Sequence, residues 1–171
     1  MTDVIRIANC SGFYGDRLDA AQEMVEGGPI DVLTGDYLAE LTMLILFKDR
    51  MKNSDGGYAK TFLAQLNDVL KPALERNIKI VVNAGGLNPS GLAKAVREVA
   101  DKLGLSPKVA TVEGDNVLPK VFDWQAAGID LSHLNTGQAL SDANGQILAA
   151  NAYLGCWPIV KALEAGADIV I

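Results

Sequence analysis

Small polar and acidic residues recur wherever an apolar, β-branched run of this chain ends. Asn9, Ser11 and Gly12 follow the first such run, and Gly35 with Asp36 follows the second. Asn83, Gly85 and Gly86, then Asn88 and Ser90, follow the third; Glu113, Gly114 and Asp115 follow the fourth. Carboxylates so placed can act as general acid or base, or hold a hard cation through oxygen. Asp36 and Asp115 are the candidate catalytic groups, expected to face one cleft if their strands are neighbours. The competing reading is helix capping and first-turn charge, a frequent use of Asp at such places.

The third of these places is the most developed. Residues 78–82 are apolar apart from Lys79, which describes a strand buried on both faces. A glycine pair breaks it. Asn88 then suits an N-cap and Pro89 the first helical position. At such a strand-to-helix junction the amides of Ser90 and Gly91 would point toward an anion. A tight turn without a ligand needs glycines just as much. The candidate ligand-binding set is therefore Asn9, Ser11, Gly12, Gly35, Asn83, Gly85, Gly86, Asn88, Ser90 and Gly114.

Several chemistries find no support. Gly86 and Gly91 have P-loop spacing, but Leu92 and Ala93 stand where Lys and Ser/Thr are required. No G-x-G-x-x-G follows the first strand, and no G-x-S-x-G elbow occurs. His133 is the single histidine, and it reads as a loop or surface residue. No metal ligand set is expected without a second histidine or a cysteine cluster. Cys10 could be a thiolate at a strand end, though a buried structural cysteine is the commoner case. The residues name no cofactor.

These groups need elements to position them. Strands are expected at 4–10, 31–34, 78–83, 109–112 and 168–171. Between them, helices are expected at about 16–26, 37–51, 59–76, 89–103, from about 116, and 155–164. Leu38, Leu41, Ile45 and Leu44 should pack inward, and Pro72 should kink or split its helix. Asn144-Gly145, between Leu140 and Ile147, signals an antiparallel hairpin excursion. Alternating strands and helices predict an α/β fold. An open, mostly parallel sheet with helices on both faces is favoured over a half-barrel. Residues 1–171 read as a single α/β domain. The strand ending at Ile171 suggests that it is the N-terminal part of a longer chain.

The 171 residues carry a net charge of −6 without a basic run, which argues against nucleic acid or an anionic membrane as partner. No apolar run approaches the length of a membrane span. The N-terminus shows no signal-peptide pattern, and two cysteines make no disulfide framework, so a cytoplasmic location is expected.

In order along the chain, several stretches resemble the acyclic terpene utilisation family, the AtuA-type proteins. They are residues 5–17 (IRIANCSGFYGDR), 33–40 (LTGDYLAE), 83–89 (NAGGLNP), 112–115 (VEGD), 155–160 (GCWPIV) and 165–171 (AGADIVI). Each is weak alone, and together they span essentially the whole chain. The resemblance implies catabolism of acyclic terpenes through coenzyme A thioesters, near carboxylation and hydration steps. It transfers no catalytic residue. The expected function is therefore action on a branched acyl-CoA or small carboxylic acid, possible for a lyase or hydratase-like enzyme. The alternative is a non-catalytic ligand-binding or assembly subunit of a catabolic complex. A homo-oligomer is expected.

Overall fold

A computed structural model describes residues 4–142, 145 and 147–171. It contains five strands in the order β1-β2-β3-β5-β4, every neighbouring pair parallel. The strands are β1 (Ile7–Asn9), β2 (Val32–Gly35), β3 (Lys79–Val82), β4 (Val109–Ala110) and β5 (Ile169–Val170). The helices are α1 (Ala20–Glu26), α2 (Glu40–Lys52), α3 (Lys60–Glu75), α4 (Pro89–Lys102), α5 (Val121–Ala126) and α6 (Trp157–Glu164). The chain forms an open, all-parallel α/β sheet whose central strand is β3, with parallel neighbours on both sides.

The chain divides into two compact units: Met1–Glu113 with Gly155–Ile171, and Gly114–Leu154. The first unit holds the sheet. Register aligns Leu33 with Ile80 and Ile80 with Ile169, so these side chains share one face. Beneath it lie Ala21 and Val25 of α1, Leu66, Val69, Leu70 and Ala73 of α3, and Leu92, Ala93 and Val96 of α4. Helix α3 packs between α1 and α4. Each fully buried Leu or Val here contributes about 1.5–3 kcal/mol relative to exposure. Travel along the sheet reverses between β4 and β5, so a right-handed crossover puts α6 on the opposite face. Val170, which points to that face, is buried accordingly. Toward β1 the same face stays open, and Ile7 is 66% exposed.

Two expectations for the helices are corrected in part. Helix α3 is not split at Pro72 and is helical continuously through it. Pro72 lacks the amide that would bond the Asp68 carbonyl, while its own carbonyl accepts from the Arg76 amide at 3.1 Å. Helix α2 buries Thr42 and Leu46, whereas Leu41 and Ile45 are exposed. Its orientation is set by the polar and steric contacts of its inner face. Asp49 bonds Lys60 at 2.7 Å and the Gly57 amide at 3.2 Å, and Arg50 donates to the Leu87 carbonyl at 2.8 Å.

In the second unit, α5 follows a short 3-10 turn at Leu118–Lys120. The antiparallel hairpin is not found. Asn144 lies outside the described residues, and no strand forms among the described residues of 135–151. The antiparallel pairing present is an isolated bridge between Asn116 and Asn151. It is flanked by bonds from Val117 N to Ala150 O (2.9 Å) and from Ala152 N to Asp115 O (2.8 Å).

Candidate functional site

The carboxyl ends of β1, β2 and β3 are tied together by a short chain of hydrogen bonds. The Asp36 amide donates to the Ser11 carbonyl at 2.9 Å, joining the turn after β2 to the turn after β1. Asn83 joins both to β3: its Nδ2 donates to Asp36 Oδ1 at 2.7 Å, and its Oδ1 accepts from the Tyr37 amide at 2.8 Å. The Tyr37 N–H can only donate, which settles the orientation of the Asn83 amide. Asp36 Oδ1 also accepts from the Leu38 amide at 3.2 Å. Among the described residues, Asp36 Oδ2 has no hydrogen-bond partner, and Asp36 is exposed. The carboxylate is thus oriented by one oxygen and available through the other.

A buried polar chain supports this arrangement from below. The Tyr37 ring lies edge-on to Phe62 with centroids 5.8 Å apart. Its hydroxyl donates to Gln65 Oε1 at 2.5 Å, and Gln65 Nε2 donates to the Arg17 carbonyl at 2.9 Å. Cys10 Sγ lies 3.7 Å from the same hydroxyl. Burial pushes the Cys10 thiol up, and the Tyr37 contact offsets only part of that. Burial likewise raises the Tyr37 hydroxyl. Both groups therefore stay neutral at physiological pH, and Cys10 is a packed thiol rather than a thiolate nucleophile. The Tyr37 ring also lies over Gly35, where a Cβ would meet Cε2 at 2.6 Å.

The turn after β1 is closed by its own acid. Ser11, buried, donates to the Phe13 carbonyl at 3.0 Å. Gly12 N donates to Asp16 Oδ2 at 2.9 Å and Arg17 N to Asp16 Oδ1 at 2.8 Å. Those amides, Gly12 first, hold the Asp16 carboxyl below the usual range. Asn9 ends β1 in an exposed position opposite Thr34.

The glycine turn after β3 is sheltered. Gly85 and Gly86 are buried. A Cβ on Gly85 would sit 2.9 Å from Ile171 Cγ2 and 2.9 Å from the Pro89 Cα. Gly86 has a φ of +53°, and a Cβ there would collide with Leu46 of α2. These glycines therefore admit neighbouring chain. Asn88 caps α4 as expected, and this corrects the reading of the Gly91 amide: it donates to Asn88 Oδ1 at 2.9 Å instead of remaining free. Asn88 Nδ2 donates to the carbonyls of Asp55 (3.2 Å) and Gly56 (3.0 Å). Ser90 is exposed at the helix start, its Oγ 3.3 Å from Asn88 Oδ1.

Asp115 and Gly114 belong to the second unit. There Asp115 Oδ2 accepts from Asn151 Nδ2 at 2.8 Å, and Gly114 has a φ of +109°. His133 sits in an exposed turn whose Asn135 and Thr136 amides both lie 3.2 Å from its Nδ1. Among the described residues no three His, Cys, Asp or Glu side chains gather as metal ligands.

Sequence reasoning found Ser11, Asp36 and Asn83, which the structure brings together. It missed Tyr37, Gln65 and Asp16. Gln65 carried a signal, since it is a polar residue beside the apolar stripe of Phe62, Leu66 and Val69.

The fold and these strand ends define an open α/β protein with its polar groups at the carboxyl edge of a parallel sheet, the edge where such sheets bind ligands. The model of the acyclic terpene utilisation family protein AtuA matches residues 5–171, and the chain belongs to that family. No curated protein and no solved structure matches the chain. Among the described residues no helix is long and apolar enough to cross a membrane.

Proposed function

We propose that this chain acts in the cytoplasm, in acyclic terpene catabolism, on a branched acyl-CoA or a small carboxylic acid. Asp36 is the proton-transferring group. The observation that supports this is the Asp36 carboxylate itself. Asn83 and the Leu38 amide orient one oxygen, and the other is left for a ligand. A carboxylate so held is preorganised for general acid–base work. Asn9, Ser11, Gly12, Gly35 and Asn83 surround the same strand ends. An anionic part of the ligand would approach the exposed Ser90 at the start of α4; one helix terminus is worth about 0.3–1 kcal/mol toward an exposed charge. Asp115, with Gly114 beside it, is a further candidate group for the same ligand class.

The test is calorimetric titration with branched acyl-CoAs and small carboxylic acids, followed by a turnover assay of the same ligands. Asp36→Asn should keep binding and lower turnover by about 10²–10⁴-fold, the usual contribution of a general acid or base. Binding without turnover in the unsubstituted chain would instead favour a ligand-binding subunit. Unchanged turnover in Asp36→Asn would remove Asp36 from the chemistry.

A further inference from the structure

We propose that α2 is a lid over the glycine turn after β3, hinged at Ala39 and at residues 53–57, and that its opening bares Gly85 and Gly86. A helix that links two parallel neighbours crosses from the carboxyl edge of the sheet to the amino edge. Between β2 and β3 that crossing is made by α3 alone. It starts at the carboxyl edge, where the Ala59 amide bonds the Ala84 carbonyl at 2.8 Å, and it leads directly into β3. Helix α2 therefore begins and ends at the carboxyl edge. Just ahead of it, the Tyr37 amide is held by Asn83 at the end of β3. Near its far end, Arg50 bonds the Leu87 carbonyl at 2.8 Å. Over 13 residues, about 20 Å, it lies across the turn after β3.

Its grip on what lies beneath is confined. Leu46 covers Gly86, where a Cβ would collide with it. The rest is a polar clasp at one end: Arg50 on the Leu87 carbonyl, and Asp49 on Lys60 (2.7 Å) and the Gly57 amide (3.2 Å). Contacts between α2 and other strands and helices are slight, whereas α3 packs between α1 and α4. Elements held by few buried contacts open at low free-energy cost, and lids are drawn from them. The two flanks are fixed. Tyr37 is tied to Asn83 and Gln65, and Ala59 is buried on the Ala84 carbonyl. Between these anchors stand the hinges. Ala39 is extended, and Gly57 has a φ of +96°; such residues absorb the backbone change of a hinge. The closed lid leaves Asp36 and Asn83 exposed and Gly85 and Gly86 buried, so opening lengthens the candidate site from the acid to the glycine turn. That use rests on the function proposed above; the motion does not.

The test is thiol labelling of the full chain with dithionitrobenzoate and no ligand, so its outcome stands apart from the acyl-CoA titration. The background carries Cys156→Ser, because Cys156 is exposed. Thr42→Cys places a thiol of similar size on the covered side of α2, where Thr42 is 6% exposed. Cys10, 4% exposed beside the anchored Tyr37, is the internal reference. Under native conditions the introduced thiol should react at least about 10-fold faster than Cys10. Arg50→Ala unfastens the clasp, and should speed that phase about 5-fold while leaving the Cys10 phase unchanged. Equal rates for the two thiols, or equal acceleration of both, would overturn the proposal, because α2 would then open only with the whole fold. A circular dichroism melt checks that Thr42→Cys folds. A second measurement does not use Thr42: amide exchange at Leu87, whose N–H bonds the Gly57 carbonyl at 2.8 Å. Arg50→Ala should speed this exchange about 5-fold and leave the core amides of α3 and α4 unchanged. Leu87 exchange that Arg50→Ala does not alter would overturn the lid.

Discussion

Tyr37 is the residue on which the candidate site rests. Its amide positions Asn83, which positions Asp36, while its hydroxyl is anchored below on Gln65. Removing the hydroxyl leaves Gln65 Oε1 buried without its donor, since Gln65 is 2% exposed. Tyr37→Phe should therefore cost about 1–3 kcal/mol, read from the urea unfolding midpoint. The companion Tyr37→Phe/Gln65→Leu removes both polar partners and should recover part of that loss. Equal destabilisation in the two proteins would show that the unpaired Gln65 oxygen is not the cause. Asp16 and Asp36 differ in an instructive way. Asp16 has each oxygen bound by a backbone amide of its own turn and serves to close it. Asp36 has one oxygen so used, which is why chemistry is assigned to it.

At the level of elements, the amino ends of the central strands are joined by Asp168. Its carboxylate accepts from Nζ of Lys79, the first residue of β3, at 2.8 Å and from the amide of Lys108, just ahead of β4, at 2.9 Å. Partial burial pushes the Asp168 carboxyl up, but the Lys79 ammonium and the Lys108 amide outweigh it and hold it below the usual carboxylate range. A carboxyl depressed on folding stabilises the fold above its unfolded value, roughly 3.9. That stability is lost as pH falls through the lower folded value. Asp168→Asn should cost about 1–2 kcal/mol at neutral pH, given side chains only 26% and 28% exposed. Below about pH 4 the two proteins should converge. Chemical denaturation at neutral pH and at acid pH measures both. A constant difference across the whole pH range would contradict this role.

For the whole molecule, the contrast is between a sheet unit with a continuous apolar core and a second unit with little regular structure. In the second unit the turn through His133, Leu134 and Asn135 is exposed, Leu134 completely so. Backbone held by few buried contacts opens at low free-energy cost. Thermolysin under native conditions should cut first near Leu134. Mass spectrometry of the first fragments would identify the site. Initial cleavage within β2, β3 or α3 would contradict this distribution of stability.

The α/β alternation, the centrality of β3, the start of α4 and the polarity of the strand ends were legible in the chain. Local chemistry decides them: a two-sided apolar run, an Asn-Pro cap, helical spacing at Leu92 and Val96. The strand order β1-β2-β3-β5-β4 required the tertiary structure, because no short-range pattern records which strand inserts beside which. So did the buried face of α2, where Leu41 and Ile45 looked like core but contacts from Leu46 and Asp49 turned the helix the other way. The hairpin expected from Asn144-Gly145 falls partly outside the described residues, and the described flanks on either side form no ladder with each other. At the site, residue types pointed to Asp36 and Asn83 separately. Only folding made them a unit, because Ser11, Asp36 and Asn83 follow three strands that are far apart in sequence and adjacent in the sheet.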